Sequence, residues 1–531
     1  MSASRFAEKI GHYRRITSGM ADYLRQPLPS DLKAPIREQF EKRGDRWLDL
    51  LQRTIFADPE HPYARMFALA DCSHGDLSQE VRRHGIDATL KRLRGAGVHL
   101  THGEFKGSAK IVRDGEVIEA PSGCFANPLI HGWFGGSSGG SRSAGTVTMT
   151  GTEHLAHLTA YQALSLEEYD LKKRAYVIVR PTLPAIAGIL LCVLHARLLP
   201  DCGPWFSFGG TLKDSAHYRA LTRYIVALAR WHGGSAPWPR TLPHNDFRKV
   251  AQDIADRKKR GVLSTLQAVA STGVRVAAAA IEADLDIAET VFISGGEALT
   301  EGKRRVLEAA GIQPQPSYWV SEIGQIGQSC AEIRTGNEVH IFQDSVGVIN
   351  HPHVVPGSDS TVSALLLTSL FPFAPHVLIN VEMADAGEIV DEPCSCTYGR
   401  LGFHRRIRDI FSYGKLTGQG MTLVGTDIVR ILEIELPEKF GGSAADFQLV
   451  EREGPKQTEL ALRVRPTVRL TSKEDLRNYF LRVLRNHYGG ALASRVWDHS
   501  EGFSVEVGEP LENKAGKILP LHLDRWSSKR S

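Results

Sequence analysis

Apolar and polar positions alternate with two different periods along this chain. Over residues 1 to about 100 the spacing is helical: stretches such as "IREQFEKRGDRWLDLLQRTIF" put apolar residues three and four apart. From about 130 to 410, short apolar runs alternate with longer amphipathic ones. "AYVIVRPT", "ETVFISGG", "EVHIFQDS" and "SALLLTSLF" predict strands, whereas "TLQAVASTGVRVAAAAIEAD" and "TEGKRRVLEAAG" predict helices, the second stopped by Gly311. Such alternation predicts an α/β architecture. From about 415 a smaller α+β unit is predicted: "DIVRILEIEL", "ELALRVRPTV", "SKEDLRNYFLRVLRNHYG" and "SVEVGEPL" read as helix, strand, helix and strand. One low-complexity stretch stands out, "GGSSGGSRSAGT" from Gly135 to Thr146. It falls between Trp133-Phe134 and "VTMTGTEHLAHLTAYQ", which reads as a strand followed by a helix.

Length divides this pattern into domains. A single core rarely grows past about 300 residues, so 531 residues predict at least two units. They are placed at 1–412, with 1–100 a mainly helical lead-in, and at 415–531. Hydrophobic residues make up 42% and charged residues 23%, an ordinary globular balance. With 64 Lys and Arg against 60 Asp and Glu, the net charge of +4 argues against a dedicated nucleic-acid binder. The N-terminus has no apolar signal core. The longest apolar run, Leu183 to Pro200, is short and interrupted by His195 and Arg197, so it predicts a buried helix rather than a membrane span. Seven cysteines, odd in number and thinly spread, suggest a reducing compartment, and the expected location is cytoplasmic.

A Gly/Ser-rich turn brings backbone N–H groups and hydroxyls close to an anion, because small side chains do not block the approach. Taken alone, the 135–146 stretch reads equally as a flexible linker. Its place between a strand and a helix favours a phosphate cradle, since linkers rarely interrupt a compact α/β core. It is not a Walker A loop, for no Lys follows the glycines. Three further segments follow it. "ISGGEALTEGKRRVLEAAGI" gives a strand, a Gly-Gly turn, Glu297 and a helix. "PSYWVSEIGQIGQSC" groups Tyr318, Ser321 and Glu322. "NVEMADAGEIV" carries Asp385 at an expected strand end, closely followed by Gly387.

In this order the segments resemble the adenylate-forming superfamily of acyl-CoA synthetases, luciferases and peptide-synthetase adenylation domains, most closely its phenylacetate–CoA ligase branch. The likeness runs from about Leu100 to the C-terminus and is strongest from 290 to 400. It implies a large N-terminal adenylate-forming domain and a small C-terminal lid that rotates between two half-reactions. By the resemblance, Gly136, Ser137, Ser138 and Gly139 hold the β- and γ-phosphates of ATP, with Arg142 supplying charge. Gly295, Gly296 and Glu297 form part of the nucleotide site. Tyr318 packs on adenine, Ser321 bonds the α-phosphate, and Glu322 holds Mg²⁺, a hard cation suited to carboxylate oxygen. Asp385 takes the ribose hydroxyls, and Lys517, in "ENKAGKILPL", neutralises charge developing on the α-phosphate and acyl oxygens. The implied reaction activates an aryl or fatty acid as acyl-adenylate and passes it to coenzyme A. A small-molecule acid is the expected substrate, and the oligomeric state, a homodimer included, stays open.

The chain departs from the family pattern in three places. Ser143 stands where relatives usually keep lysine. The usual G-R-x-D-D-like hinge is replaced by Leu416, Thr417, Gly418, Gln419 and Gly420, or Gly414-Lys415 stands in for its Gly-Arg pair if two residues are inserted, with nothing replacing the aspartates. Both arginines of R-Y-R-T-G-D are gone from Asn380 to Asp385. These losses motivate two rivals: transfer to a carrier protein, an amine or a protein cysteine, and a non-catalytic nucleotide-binding or scaffold relative. The resemblance further implies a structural zinc on Cys330, His340, Cys394 and Cys396, since thiolate and imidazole are its preferred ligands. Without it, these are equally buried thiols and a strand histidine. His131, Trp133, the "WFSFGG" cluster at Trp205 to Gly210, and the His244-Asn245-Asp246 and His351-Pro352-His353 turns are expected to be structural or pocket-bordering. No nucleophile elbow or catalytic triad is present.

Overall fold

The computed structural model describes residues 3–137, 147–208, 215–333, 336–356, 360–416, 423–424, 427–453, 458–486, 503–513 and 515–524. Most of the strand-forming runs enter one twelve-stranded sheet with two contrasting halves. In one half, Pro239–Thr241, Trp205–Ser207, Ala175–Val179, Ser264–Ala268, Val291–Gly295 and Gln313–Val320 run parallel in that spatial order. In the other, Gly324–Gln328, Val339–Ile341, Arg405–Phe411, Val381–Asp391, Thr361–Ser369 and Val346–Val354 continue antiparallel.

The parallel half is buried on both faces, and this is why its strands read as continuous apolar runs. Tyr176 and Ile178 join Leu155, Tyr161 and Trp205 on one face; Val177 and Val179 join Phe292 and Val274 on the other. The helices Thr152–Glu168 and Ile186–His195 cover the first face, and Arg248–Lys259, Ala270–Glu282 and Glu301–Ala309 the second. The Leu183–Pro200 run therefore contributes a core helix, and no described helix is long and apolar enough to cross a membrane. The N-terminal helices, among them Ala34–Leu51 and His74–Gly95, bring Trp47, Leu51 and Leu90 onto the antiparallel half, against Val348 and Leu365.

Three local readings are corrected. The "TLQAVASTG" stretch is not helical from its start: Ser264–Ala268 is a buried strand, and the helix begins at Ala270. An apolar run with both faces buried has no alternation to separate it from a helix. Asp385 does not end a strand but lies within Val381–Asp391, beside Ala384, whose φ is +59°, where the pairing with the neighbouring strand slips. A bulge of this kind re-aims one side chain without ending the ladder. His351 and His353 lie on the strand Val346–Val354 rather than in a turn, His353 paired to Glu382 at 3.3 Å.

The C-terminal unit is a four-stranded sheet in the order Phe503–Val507, Thr458–Val464, Phe447–Glu453, Leu521–Asp524. The helix Lys473–Asn486 and the helical turns around Ile428–Phe440 close a separate core of Ile431, Leu449, Leu462 and Phe480. Polar contacts seat this unit on the larger one. Lys303 and Glu433, about 6% and 5% exposed, pair at 3.3 Å, and Thr300 donates to the same carboxylate. Arg275 donates to Glu512, its guanidinium stacked over Phe247.

Removing one member of a buried pair leaves the other charge uncompensated. Glu433→Ala should therefore destabilise the protein by about 3–5 kcal/mol in urea unfolding. Lys303→Met combined with Glu433→Leu should recover most of that loss.

Candidate functional site

Ligands of open α/β sheets bind outside the carboxyl ends of the parallel strands, and Gly296, Glu297, Tyr318, Asp385 and Lys517 gather at that edge. The strand Val291–Gly295 ends in the Gly295-Gly296 turn, where Gly296 has φ +88°. A Cβ at Gly296 would lie 3.1 Å from Lys517 Nζ, so only glycine admits both the backbone and the ammonium. Lys517 arrives on a tight turn from the C-terminal unit. Asn513 Oδ1 accepts from the N–H groups of Ala515 at 2.9 Å and Lys517 at 3.1 Å, and the Asn513 N–H donates to Lys517 O at 3.0 Å. Gly516, at φ +74°, packs where a Cβ would meet the Phe208 ring at 2.7 Å. Gln448 holds both sides of the turn, donating to Leu511 O and Leu519 O and accepting from Leu511 N–H.

The turn and the strands beside it enclose a cavity of about 180 Å³ lined by Gly296, Tyr318, Trp319, Asp385, Lys415 and Lys517, among others. Tyr318 is buried and donates its hydroxyl to Asp385 Oδ2 at 2.8 Å, so the expected adenine and ribose partners are already tied together. Burial, then the Asp385 charge, pushes the Tyr318 phenol well above its usual range. Burial, then Lys415, lowers the Lys517 ammonium to about 8, with Glu297 and Asp385 acting in the opposite direction.

Other predicted residues take different partners. Both Glu297 oxygens accept from Ser271, from its N–H at 2.7 Å and its hydroxyl at 2.9 Å, at the start of the helix Ala270–Glu282. The same hydroxyl accepts from Ile518 N–H at 3.3 Å, which fastens the Lys517 turn to Glu297. Glu322, the expected Mg²⁺ ligand, is 5% exposed and pairs with Lys106 at 2.7 Å. Ser321 is exposed in the turn between Gln313–Val320 and Gly324–Gln328. Gly136 and Ser137 lie on the strand Phe134–Ser137, paired antiparallel with Val147–Thr150; Ser138, Gly139, Arg142 and Ser143 lie outside the described residues, as do Thr417 to Gly420.

The four predicted zinc ligands form one cluster. Atoms of Cys330, His340, Cys394 and Cys396 all lie within 4.8 Å of one another. The Cys330 and Cys394 sulfurs are 3.8 Å apart, and Cys396 Sγ is 3.4 Å from His340 Nε2. Adjacent strands explain the meeting: Gly324–Gln328 leads into Cys330 and pairs with Val339–Ile341, which pairs in turn with Arg405–Phe411. His340 Nδ1 sits 2.7 Å from the Phe403 carbonyl, and Glu168 accepts from Ala331 N–H at 3.0 Å and Thr397 N–H at 2.7 Å, holding both cysteine loops.

Sequence reasoning missed Lys106, Glu168 and Arg180. Arg180 carried a usable signal, a charged residue directly after the apolar run "AYVIV". Lys106 carried none, because its partner is 216 residues away.

No protein-family model and no curated protein matches the chain. Solved structures do. The chain is similar to 2-hydroxyisobutyryl-CoA ligase in the postadenylation state in complex with 2-HIB-AMP, with TM-score 0.52 and 14% identity, covering 94% of each chain. The same ligase with R3-HIB-AMP gives TM-score 0.51 and 14% identity, again over 94% of each chain. The fold is thus that of the adenylate-forming CoA ligases, large domain and small C-terminal domain together.

The electrostatics of Lys517 are testable directly. An amine-reactive probe, read by peptide mapping, should label Lys517 with a midpoint near pH 8. Lys415→Ala removes a like charge and should move that midpoint upward.

Proposed function

We propose that the protein is an ATP- and Mg²⁺-dependent ligase that activates a carboxylic acid as acyl-adenylate and passes the acyl group to a thiol, coenzyme A first among them. The observation that carries this reading is Lys517, delivered by the C-terminal unit to the Gly295-Gly296 turn beside Asp385 and Tyr318. A carboxylate is a poor acyl donor because its leaving group would be oxide. In the first step one carboxylate oxygen bonds the α-phosphorus of ATP and pyrophosphate leaves with the electron pair. In the second a thiolate attacks the acyl carbon and AMP leaves. Both steps are helped mainly by positioning and by charge held ready for the transition state.

In this reading Asp385 and Tyr318 hold the adenosine half, with Gly295, Gly296 and Glu297 shaping the site. Ser321 and the 136–139 loop take phosphates, with Arg142 adding charge, and Lys517 neutralises the charge developing between phosphate and acyl oxygens. Glu322 supplies hard oxygen for Mg²⁺, and Lys106 would then turn from the carboxylate toward phosphate. Mg²⁺ would offset phosphate charge and orient the triphosphate. The same reading has residues 1–412 bind both substrates and 415–531 act as the lid.

Zinc fits Cys330, His340, Cys394 and Cys396. For Zn–S bonds near 2.3 Å, tetrahedral sulfurs sit about 3.8 Å apart, the separation of Cys330 and Cys394. The Phe403 carbonyl beside Nδ1 fixes that nitrogen as the donor and turns the Nε2 lone pair toward the sulfurs. Four protein ligands leave no open position, so the role is structural.

The altered hinge supports a second reading in which adenylation is kept but the acceptor is a carrier-protein thiol, an amine or a protein cysteine. Offering coenzyme A and these acceptors to preformed acyl-AMP separates the two. Against a panel of aryl and fatty acids, the enzyme should release pyrophosphate in an acid-dependent manner. Lys517→Ala should slow that release at least about 100-fold, the scale of losing one charge-stabilising group, while nucleotide binding persists. ATP binding without acid-dependent release in the wild type would instead favour the non-catalytic relative. Metal analysis should find one zinc per chain, lost in Cys396→Ser.

A further inference from the structure

Arg180 belongs to none of the motifs, yet it stands over the same Gly-Gly turn. It is the first residue after the strand Ala175–Val179, at the carboxyl edge of the parallel sheet, and is 6% exposed. Its side chain crosses the end of Ser264–Ala268 to reach the next strand, where Nη2 donates to Gly295 O at 3.2 Å. Among the described residues this is the guanidinium's one hydrogen bond: Nε is buried without a partner, and no ion pair forms. Glu297 lends it some negative potential, but both oxygens of that carboxylate are bonded to Ser271. A guanidinium with five donors, buried and nearly unsatisfied, is a receptor for a planar anion.

Its position selects the anion. A Cβ on Gly295 would lie 3.7 Å from Arg180 Nη2, and one on Gly296 would lie 3.1 Å from Lys517 Nζ, so two cations flank successive residues of one turn. Tyr318 and Asp385 line the cavity on the Lys517 side, and Arg180 does not. The Arg180 carbonyl accepts from Trp205 Nε1 at 3.0 Å, and the following Pro181 packs with Phe208 around Gly516, so aromatic rings border this end of the strand.

We propose that Arg180 receives the carboxylate of the acid substrate, a monocarboxylate with an apolar or aromatic body, and holds its non-attacking oxygen during adenylation. This rests on the adenylation reading above. The other carboxylate oxygen bonds the α-phosphorus, the bond from phosphorus to the bridging oxygen breaks, and pyrophosphate carries away the electron pair; no proton moves. The held oxygen becomes the acyl carbonyl, between Arg180 and Lys517. Burial lowers the Arg180 pKa to about 10, so the guanidinium remains charged at neutral pH.

The test compares the wild type with Arg180→Lys and Arg180→Met in pyrophosphate release, with benzoate, phenylacetate, 2-hydroxyisobutyrate and octanoate as probes. Arg180→Met should raise the KM of the acid about 10- to 100-fold, the scale of a hydrogen bond to a charged group, and leave the KM of ATP within twofold. Arg180→Lys should lose less, and added guanidinium ion should restore part of the Arg180→Met loss, an effect a packing role would not give. If Arg180→Met does not fold, the KM split in Arg180→Lys decides. An acid KM unchanged within twofold, or an equal rise in the KM of ATP, overturns the assignment while the adenylation reading stands. A wild type silent toward every acid brings down both.

Discussion

The arrangement depends on keeping one partly buried lysine ammonium charged at the Gly295-Gly296 turn. Burial and the neighbouring Lys415 work against the charge on Lys517, and Glu297 and Asp385 work for it. A cation in such a balance is poised for an incoming anion, because added negative charge tips it firmly toward the protonated form. The surrounding structure serves that position. Gly296 leaves room for the ammonium, Asn513 and Gln448 set the turn, and Ser271 ties the turn to Glu297. Because Lys517 is carried by the small unit and Gly296, Glu297 and Asp385 by the large one, they come together only when the two are seated.

Fold class was legible because strands and helices alternate along the chain, but the strand Ser264–Ala268 read as helix because both of its faces are buried. Gly296 was legible too: its φ of +88° favours glycine, and a Cβ there would crowd Lys517 Nζ at 3.1 Å. Legibility failed where the determining partner is remote or the deciding feature is a detail of backbone. The carboxylate of Glu297 goes to a helix start 26 residues earlier. Glu322 meets Lys106 across 216 residues. Asp385 looks like a strand end because the bulge at Ala384 interrupts the pairing but not the strand. Arg180 reaches Gly295 over an intervening strand, which only the strand order reveals.

The departures from the family pattern acquire a common physical sense. Both arginines near Asp385 are gone, and Ser143 replaces a lysine, yet Lys106, Lys415 and Arg180 bring positive charge to the same edge from elsewhere in the chain. Phosphate and carboxylate recognition depends on where the charge arrives rather than on which segment carries it.

The helix Thr152–Glu168 starts just after the strand that follows the glycine–serine stretch, and its last residue, Glu168, grips both cysteine loops. At about 1.5 Å per residue it is a rod some 25 Å long. Its inner face is fixed in the core by Leu155, Leu158, Tyr161 and Leu164. It acts as a strut with one foot beside the strand Val147–Thr150 and the other on the cysteine cluster. Slack at the cluster would be carried along the rod as misalignment of the strand at its far end.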